Sequence, residues 1–116
     1  MELSYPLWSD APQSALLVSR DRQSRELVFP VVPDASPLAA GHETIAVDRL
    51  GEVYSFTVIH PGKKSGEEPY ALGFVDFPGP VRIFGRLNGE VRPTIGAKYS
   101  ARRDERFGYT FEAVKA

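Results

Sequence analysis

Ten prolines and ten glycines punctuate this chain of 116 residues and cut it into pieces that suit strands and turns better than long helices. Proline removes a backbone donor and fixes φ, glycine loosens the chain, and both mark turns rather than element interiors. Between these marks the apolar residues alternate. Residues 81–87 read VRIFGRL, which puts Val81, Ile83, Gly85 and Leu87 on one face and Arg82, Phe84 and Arg86 on the other. By the same period, Tyr54, Phe56 and Val58 are expected to share one face of a strand over 52–60. Further strands are predicted over 70–77, closed by Pro78-Gly79-Pro80, over 98–103 and over 107–114. A polar loop is expected at 61–69, a tight turn at Asn88-Gly89, and a charged turn around Asp104 and Glu105. About five strands at this spacing predict a small barrel or sandwich.

The first part of the chain is less regular. Residues 15–19 and 26–29 read as a hairpin with a polar tip between them. Residues 30–41, PVVPDASPLAAG, hold three prolines and exclude a regular element, while Val31, Val32 and Leu38 imply that the segment lies against something. Residues 43–48 and 52–60 flank Arg49-Leu50-Gly51 and form one long bent strand or two. The opening, residues 4–10 with Trp8, is expected to be a short helix or an irregular arm.

Composition narrows the function classes. The chain has the length of one domain and can bury roughly two thirds of its unfolded surface without a disulfide or metal. Zero cysteines exclude disulfides, thiolate metal sites and cysteine nucleophiles together. The net charge of −1 supplies no long-range attraction for nucleic acid or an anionic membrane. No run of about 18 apolar residues is present, and the opening residues lack the basic and apolar regions of a secretory signal. The expectation is a soluble, cytoplasmic domain.

No constellation for unaided catalysis stands out. The chain lacks a Gly-x-Ser-x-Gly elbow and a phosphate loop, and Ser55 has no recognisable base nearby. Glu67 and Glu68 share a loop with Lys63 and Lys64 and read as solvated charges. His42 is expected to be solvated. His60, at a strand end, is a hydrogen-bonding residue or a substrate or interface contact. The two histidines lack close metal-ligand spacing, and no metal site is expected. Arg82, Phe84 and Arg86 point out of the sheet, roughly 7 Å apart. They form a solvated face, a partner-binding anchor or a phosphate contact.

The ordered set GEVYSFTVIHP (51–61), PYALGFVDF (69–77), VRIFGRLNG (81–89), IGAKY (95–99) and the closing FEAV resembles the acyl-CoA-associated OB-fold family. Its members usually carry a rubredoxin-like zinc ribbon before the barrel. Here RDRQSRELVFPVVPDASPL keeps Phe29-Pro30 and Pro37. The positions where ribbon thiolates would fall are about Asp21, Ser24, Ser36 and Ala39, a set that lacks four metal donors. Leu27, Phe29, Val31 and Val32 are expected to hold the remnant by apolar packing.

The resemblance implies a five-stranded OB-fold barrel over 42–116, preceded over 1–41 by a degenerate, metal-free ribbon-like hairpin and the N-terminal arm, as one compact unit. It implies a role as accessory subunit, in a hetero-oligomer, of a thiolase-like enzyme acting on acyl-CoA. The partner types are thiolases, hydroxymethylglutaryl-CoA synthase and thiolase-like aldolases of steroid side-chain degradation. The partner would carry the catalytic residues, and a coenzyme A thioester would be the shared substrate, with no cofactor held by this chain. Trp8, Phe29, Pro30, Val32, His60 and Phe84 are the expected partner contacts. Lys63, Lys64, Arg82 and Arg86 are the expected acyl-CoA contacts. The alternative is a single-stranded nucleic-acid-binding OB module, with Phe84 beside Arg82 and Tyr99 beside Arg102 and Arg103 as stacking platforms.

Overall fold

The structure is a computed structural model that describes residues 7–9, 15–62, 64 and 66–114. The expected helix or arm at 4–10 lies largely outside the described residues. Leu7–Ser9 are extended, with Trp8 bridging Leu16 and the Leu17 amide donating to the Leu7 carbonyl at 2.8 Å. Among the described residues no helix is long and apolar enough to cross a membrane. The chain divides into two compact units, residues 1–49 with 77–81, and residues 50–76 with 82–116.

The first unit holds a three-stranded antiparallel sheet in the order β2-β1-β3, with β1 at Leu17–Asp21, β2 at Leu27–Val28 and β3 at His42–Ala46. The predicted hairpin is present, with Ser19 opposite Val28 and Arg20 opposite Leu27. Its polar tip is an Asx turn. Asp21 Oδ1 accepts the amides of Gln23 and Ser24, both at 2.9 Å, and these bonds hold the carboxylate below its ordinary range. Beside it, Arg20 and Glu43 face each other across β1 and β3 and share a 2.6 Å ion pair. The hydrogen bond from Arg20 likewise lowers the Glu43 pKa. Leu16, Val18, Val31 and Val47 are buried. Residues 30–41 are pinned to the sheet where Ser19 Oγ accepts the Val32 amide at 2.8 Å. Val31 is thus covered, whereas Leu38 is 64% exposed. His42 is not solvated as expected. Its Nδ1 lies 2.8 Å from the Leu38 carbonyl, and its side chain is only 13% exposed.

The second unit holds most of the barrel. Strands β4 (Leu50–Ile59), β5 (Tyr70–Phe77), β6 (Val81–Asn88), β7 (Lys98–Asp104) and β8 (Gly108–Ala113) close in the order β4-β5-β6-β8-β7. β6 runs parallel to β8, and β4 pairs antiparallel with both β5 and β7. A closed five-stranded mixed barrel of this order is an OB-fold. Residues 43–48 and 52–60 are therefore two strands in two different sheets, and β3 belongs with β1. The chain bends at Gly89, with φ of 107°, at the end of β6, but no hairpin follows, because the next strand pairs with β4 and β8 rather than with β6. Residues 89–97 instead cross to β4, where Val53 exchanges hydrogen bonds with Ala97 and Gly96 at 3.0 and 2.8 Å.

Within the second unit the barrel interior is built from Ile83 and Leu87 of the predicted face of β6, with Val53, Ala71, Val75, Tyr99 and Phe111. The Tyr99 hydroxyl is buried without a hydrogen-bond partner among the described residues, and burial raises its pKa, so it stays neutral.

One sequence expectation fails in β4. Val53 pairs with Val75 but Ser55 pairs with Phe74, so Tyr54 occupies a β-bulge. The bulge shifts the inward phase. Phe56 and Val58 oppose Gly73 and Ala71 of the inner face, while Tyr54 is 51% exposed. Gly73 sits where the strands close up, and a Cβ there would lie 2.3 Å from the Ser55 carbonyl oxygen.

Gly73→Ala should destabilise the chain by about 3 kcal/mol in denaturant melts, because backbone must move. Gly41→Ala, with nothing within 4 Å, should be neutral or slightly stabilising. Asp21 and Glu43 both have pKa values below their ordinary 3.8 and 4.5, so the unfolded chain binds more protons in acid. Their contribution is complete above those ordinary values and is lost as pH falls through the lowered ones. Melting temperature followed by circular dichroism should decline below roughly pH 4.5, and an Asp21→Asn, Glu43→Gln double variant should decline less steeply.

Candidate functional site

The outer wall of the barrel gathers arginine and aromatic side chains. Alternation on β6 turns Arg82, Phe84 and Arg86 outward, as predicted, and alternation on β5 turns Tyr70, Leu72, Phe74 and Asp76 to the same side. The bulge in β4 adds Tyr54. Tyr54, Phe74 and Phe84 are 51, 39 and 46% exposed, far more aromatic surface than a solvated sheet face needs.

These side chains are ordered by specific contacts. The Arg82 guanidinium lies 3.3 Å from the centroid of the Tyr54 ring and forms a forked pair with Asp76, Nε to Oδ1 at 2.7 Å and a terminal nitrogen to Oδ2 at 3.1 Å. The bond to Asp76 raises the Arg82 pKa, which leaves the residue fully charged. Phe74 and Phe84 meet edge to face at 5.1 Å. Further along β6, Arg86 lies 4.4 Å from the Tyr70 ring centroid and 5.9 Å from that of Phe107.

The turn between β7 and β8 completes a concavity. Asp104 Oδ1 accepts the amides of Arg106 and Phe107 at 2.8 and 2.9 Å, an Asx turn that presents both residues. Arg106 stacks on Phe107 at 5.1 Å. The Tyr109 hydroxyl donates to the Phe84 carbonyl at 2.5 Å. At Gly85 a Cβ would meet the rings of Phe111 and Tyr109 at 2.8 and 2.9 Å, so glycine lets these rings lie against β6. The result is a pocket of about 350 Å³ walled by Tyr70, Leu72, Phe84, Arg86, Arg106, Phe107 and Tyr109, with Glu67 from the β4–β5 loop.

The structure gathers only part of the predicted site. Arg82, Phe84 and Arg86 share one wall, but Arg82 is committed to Asp76 and Tyr54, so Arg86 is the more available cation. Lys64 is exposed in the β4–β5 loop, and Lys63 lies outside the described residues. His60 is exposed just beyond the end of β4. Trp8, Phe29 and Val32 are half-buried in the first unit, where Pro30 is exposed. Tyr99 is 1% exposed and cannot serve as a stacking platform. Sequence reasoning missed Tyr54, Tyr70, Phe74, Arg106 and Phe107 as members of this wall. The available signal was β5, apolar on both faces, which implies an outer face as well as an inner one.

The zinc positions suggested by the resemblance do other work. Asp21, Ser24 and Ser36 accept backbone amides of the turns that follow them, Ser24 from Glu26 at 3.2 Å and Ser36 from Leu38 at 3.1 Å. Ala39 offers no donor. These residues do not fit a tetrahedral zinc, and among the described residues no group of three or more His, Asp or Glu side chains is placed to hold a metal ion.

Comparisons with known proteins agree with this architecture. The chain is 31% identical over 106 residues to the benzoylsuccinyl-CoA thiolase subunit BbsA of Thauera aromatica, covering 83% of this chain and 71% of that protein. It is 41% identical over 49 residues to the BbsA subunit of Geobacter metallireducens, covering 42% of this chain but only 34% of that one. Among solved structures, a chain of an Ltp2-ChsH2(DUF35) aldolase superposes with a TM-score of 0.64 at 22% identity, covering 85% of this chain and 84% of that one, a likeness of fold. Residues 44–102 match the family described as ChsH2, C-terminal OB-fold domain. With that match spanning β3 to most of β7, and a relative aligned over most of its length, the chain belongs to the family of the ChsH2 C-terminal OB-fold domain.

Proposed function

We propose that this chain is a non-catalytic accessory subunit of a thiolase-like enzyme acting on acyl-CoA. The observation that carries the reading is the 31% identity to a benzoylsuccinyl-CoA thiolase subunit across most of both chains. A barrel wall with Tyr54, Phe74 and Phe84 exposed supports it, since aromatic and arginine side chains are enriched in interface cores. On this reading the partner supplies the catalytic residues, and the small chain stabilises it in a cytoplasmic hetero-oligomer. Phe84 is the central anchor, with Trp8, Phe29, Pro30, Val32 and His60 as further contacts. Arg86, Lys64 and Lys63 meet the phosphates of the shared acyl-CoA, with Arg82 in a secondary role behind its Asp76 pair. The first unit is a ribbon remnant in which turn hydrogen bonds and the Arg20–Glu43 pair stand where a metal would otherwise fix the loops.

A second reading, single-stranded nucleic-acid binding, draws on the arginine–aromatic array on β5 and β6, a face that OB-folds use for oligonucleotides. The net charge of −1 and the neutralisation of Arg82 by Asp76 weigh against it.

Co-expression with a thiolase-like chain encoded beside this one should give a complex that survives size-exclusion chromatography. Phe84→Ala should weaken that complex by about tenfold or more in Kd while leaving the isolated chain folded. Failure of every neighbouring thiolase-like chain to co-purify overturns the reading. Retention of single-stranded DNA at low salt, released as salt rises, would favour the alternative instead.

A further inference from the structure

We infer that the pocket between β5, β6 and the β7–β8 turn is a ligand site for a planar aromatic ring bearing an anionic group. The inference rests on the acyl-CoA reading, which already places Arg86 on a phosphate, and deepens it by naming the ligand chemistry that the side chains lining the pocket select.

Three observations converge on that chemistry. The first is position. The pocket is bounded by the β4–β5 loop through Glu67, by β5 and β6, and by the β7–β8 turn. In OB-fold terms these are the loop after the first strand, the second and third strands, and the loop between the last two. That is where barrels of this topology hold oligonucleotides and oligosaccharides. Its volume of about 350 Å³ falls within the roughly 300–1,000 Å³ of small-molecule sites.

The second is the wall. Tyr70, Phe84 and Phe107 bring ring surfaces to one space, and Phe107 is 48% exposed. Aromatic walls favour a planar ring through stacking and edge contacts. The rings are held rather than loose, since Asp104 fixes the turn that presents Phe107 and the Tyr109 hydroxyl is tied to the Phe84 carbonyl.

The third is charge. Arg86 and Arg106 both line the pocket and both lie within 6 Å of the Phe107 ring centroid. Among the described residues neither is paired with a carboxylate, in contrast to Arg82, whose charge Asp76 neutralises. Among the described residues of the lining, Glu67 is the one carboxylate. Two guanidiniums already stacked on aromatic rings offer planar, forked N–H donors at low entropic cost, suited to a carboxylate or phosphate. A ring anion satisfies both features of the wall; an aliphatic anion satisfies one.

Nucleotides and aryl carboxylates share this chemistry, and the experiment separates them. The full-length ¹⁵N-labelled chain is titrated, followed by amide chemical shifts, with AMP, benzoate, cyclohexanecarboxylate and inorganic phosphate. AMP or benzoate should shift the amides of Gly85, Arg86, Phe107 and Tyr109, with a Kd at least about tenfold below that of cyclohexanecarboxylate or phosphate. Arg86→Gln and Phe107→Leu, each with an otherwise native-like spectrum, should weaken that binding about tenfold. Tighter binding of AMP assigns the site to nucleotides, and tighter binding of benzoate to aryl acids. Cyclohexanecarboxylate binding as well as benzoate and AMP, or no shift of these amides by either ring anion at about 10 mM, overturns the inference. Neither result bears on whether a thiolase-like partner is bound.

Discussion

The barrel depends on a change of phase within one strand. β4 pairs with β7 over residues 50–52 and with β5 over residues 52–59, and between Val53 and Ser55 it carries an extra residue. A bulge bends a strand and increases its twist, which a small closed sheet requires. It also moves the inward set from Val53 to Phe56 and Val58, against a β5 that presents Gly73 and Ala71. Gly73 is the complement of the bulge. With its would-be Cβ 2.3 Å from the Ser55 carbonyl, only hydrogen fits between the two strands.

The same bulge shapes the outer surface. The residue it leaves out of register is Tyr54, whose ring becomes the platform for Arg82. From there the wall reads outward along β5 and β6 as alternating aromatic and guanidinium groups, from the Tyr54–Arg82–Asp76 cluster through the Phe74–Phe84 pair to Arg86 between Tyr70 and Phe107. The two ends differ electrostatically. Arg82 is balanced by Asp76 and stiffens the wall, whereas Arg86 and Arg106 bring positive charge to a concavity. On the proposed reading one end of this sheet face is structural and the other receives a ligand, although a five-stranded barrel of this size could be closed without either.

Much of this was legible in the residues. The strict alternation of VRIFGRL places β6 correctly on both faces, and the proline and glycine spacing isolates the strands. Ser19 and Val28 pair as the hairpin reading requires. What was not legible depends on non-local geometry. Alternation carries no mark of a bulge, so a two-residue period groups Tyr54 with Phe56 and Val58. The Asn88-Gly89 signal is local, whereas whether a hairpin follows depends on where β7 and β8 insert. His42 looked solvated beside Gly41, yet it is covered and bonded to the Leu38 carbonyl. Arg106 and Phe107 reach the pocket only because β8 lies next to β6 and the Asp104 turn aims them, and neither fact is written in a two-residue period.

The central claim is that the aromatic outer wall of β5 and β6 is covered by another protein in the functional state. Hydroxyl-radical footprinting reads this side chain by side chain, because exposed rings oxidise fastest. In the complex with a thiolase-like subunit, oxidation of Phe74 and Phe84 should fall several-fold relative to the isolated chain, while Phe107 reports separately on the pocket. Unchanged oxidation of both phenylalanines within a demonstrated complex would contradict the account and place the docking surface elsewhere on the chain.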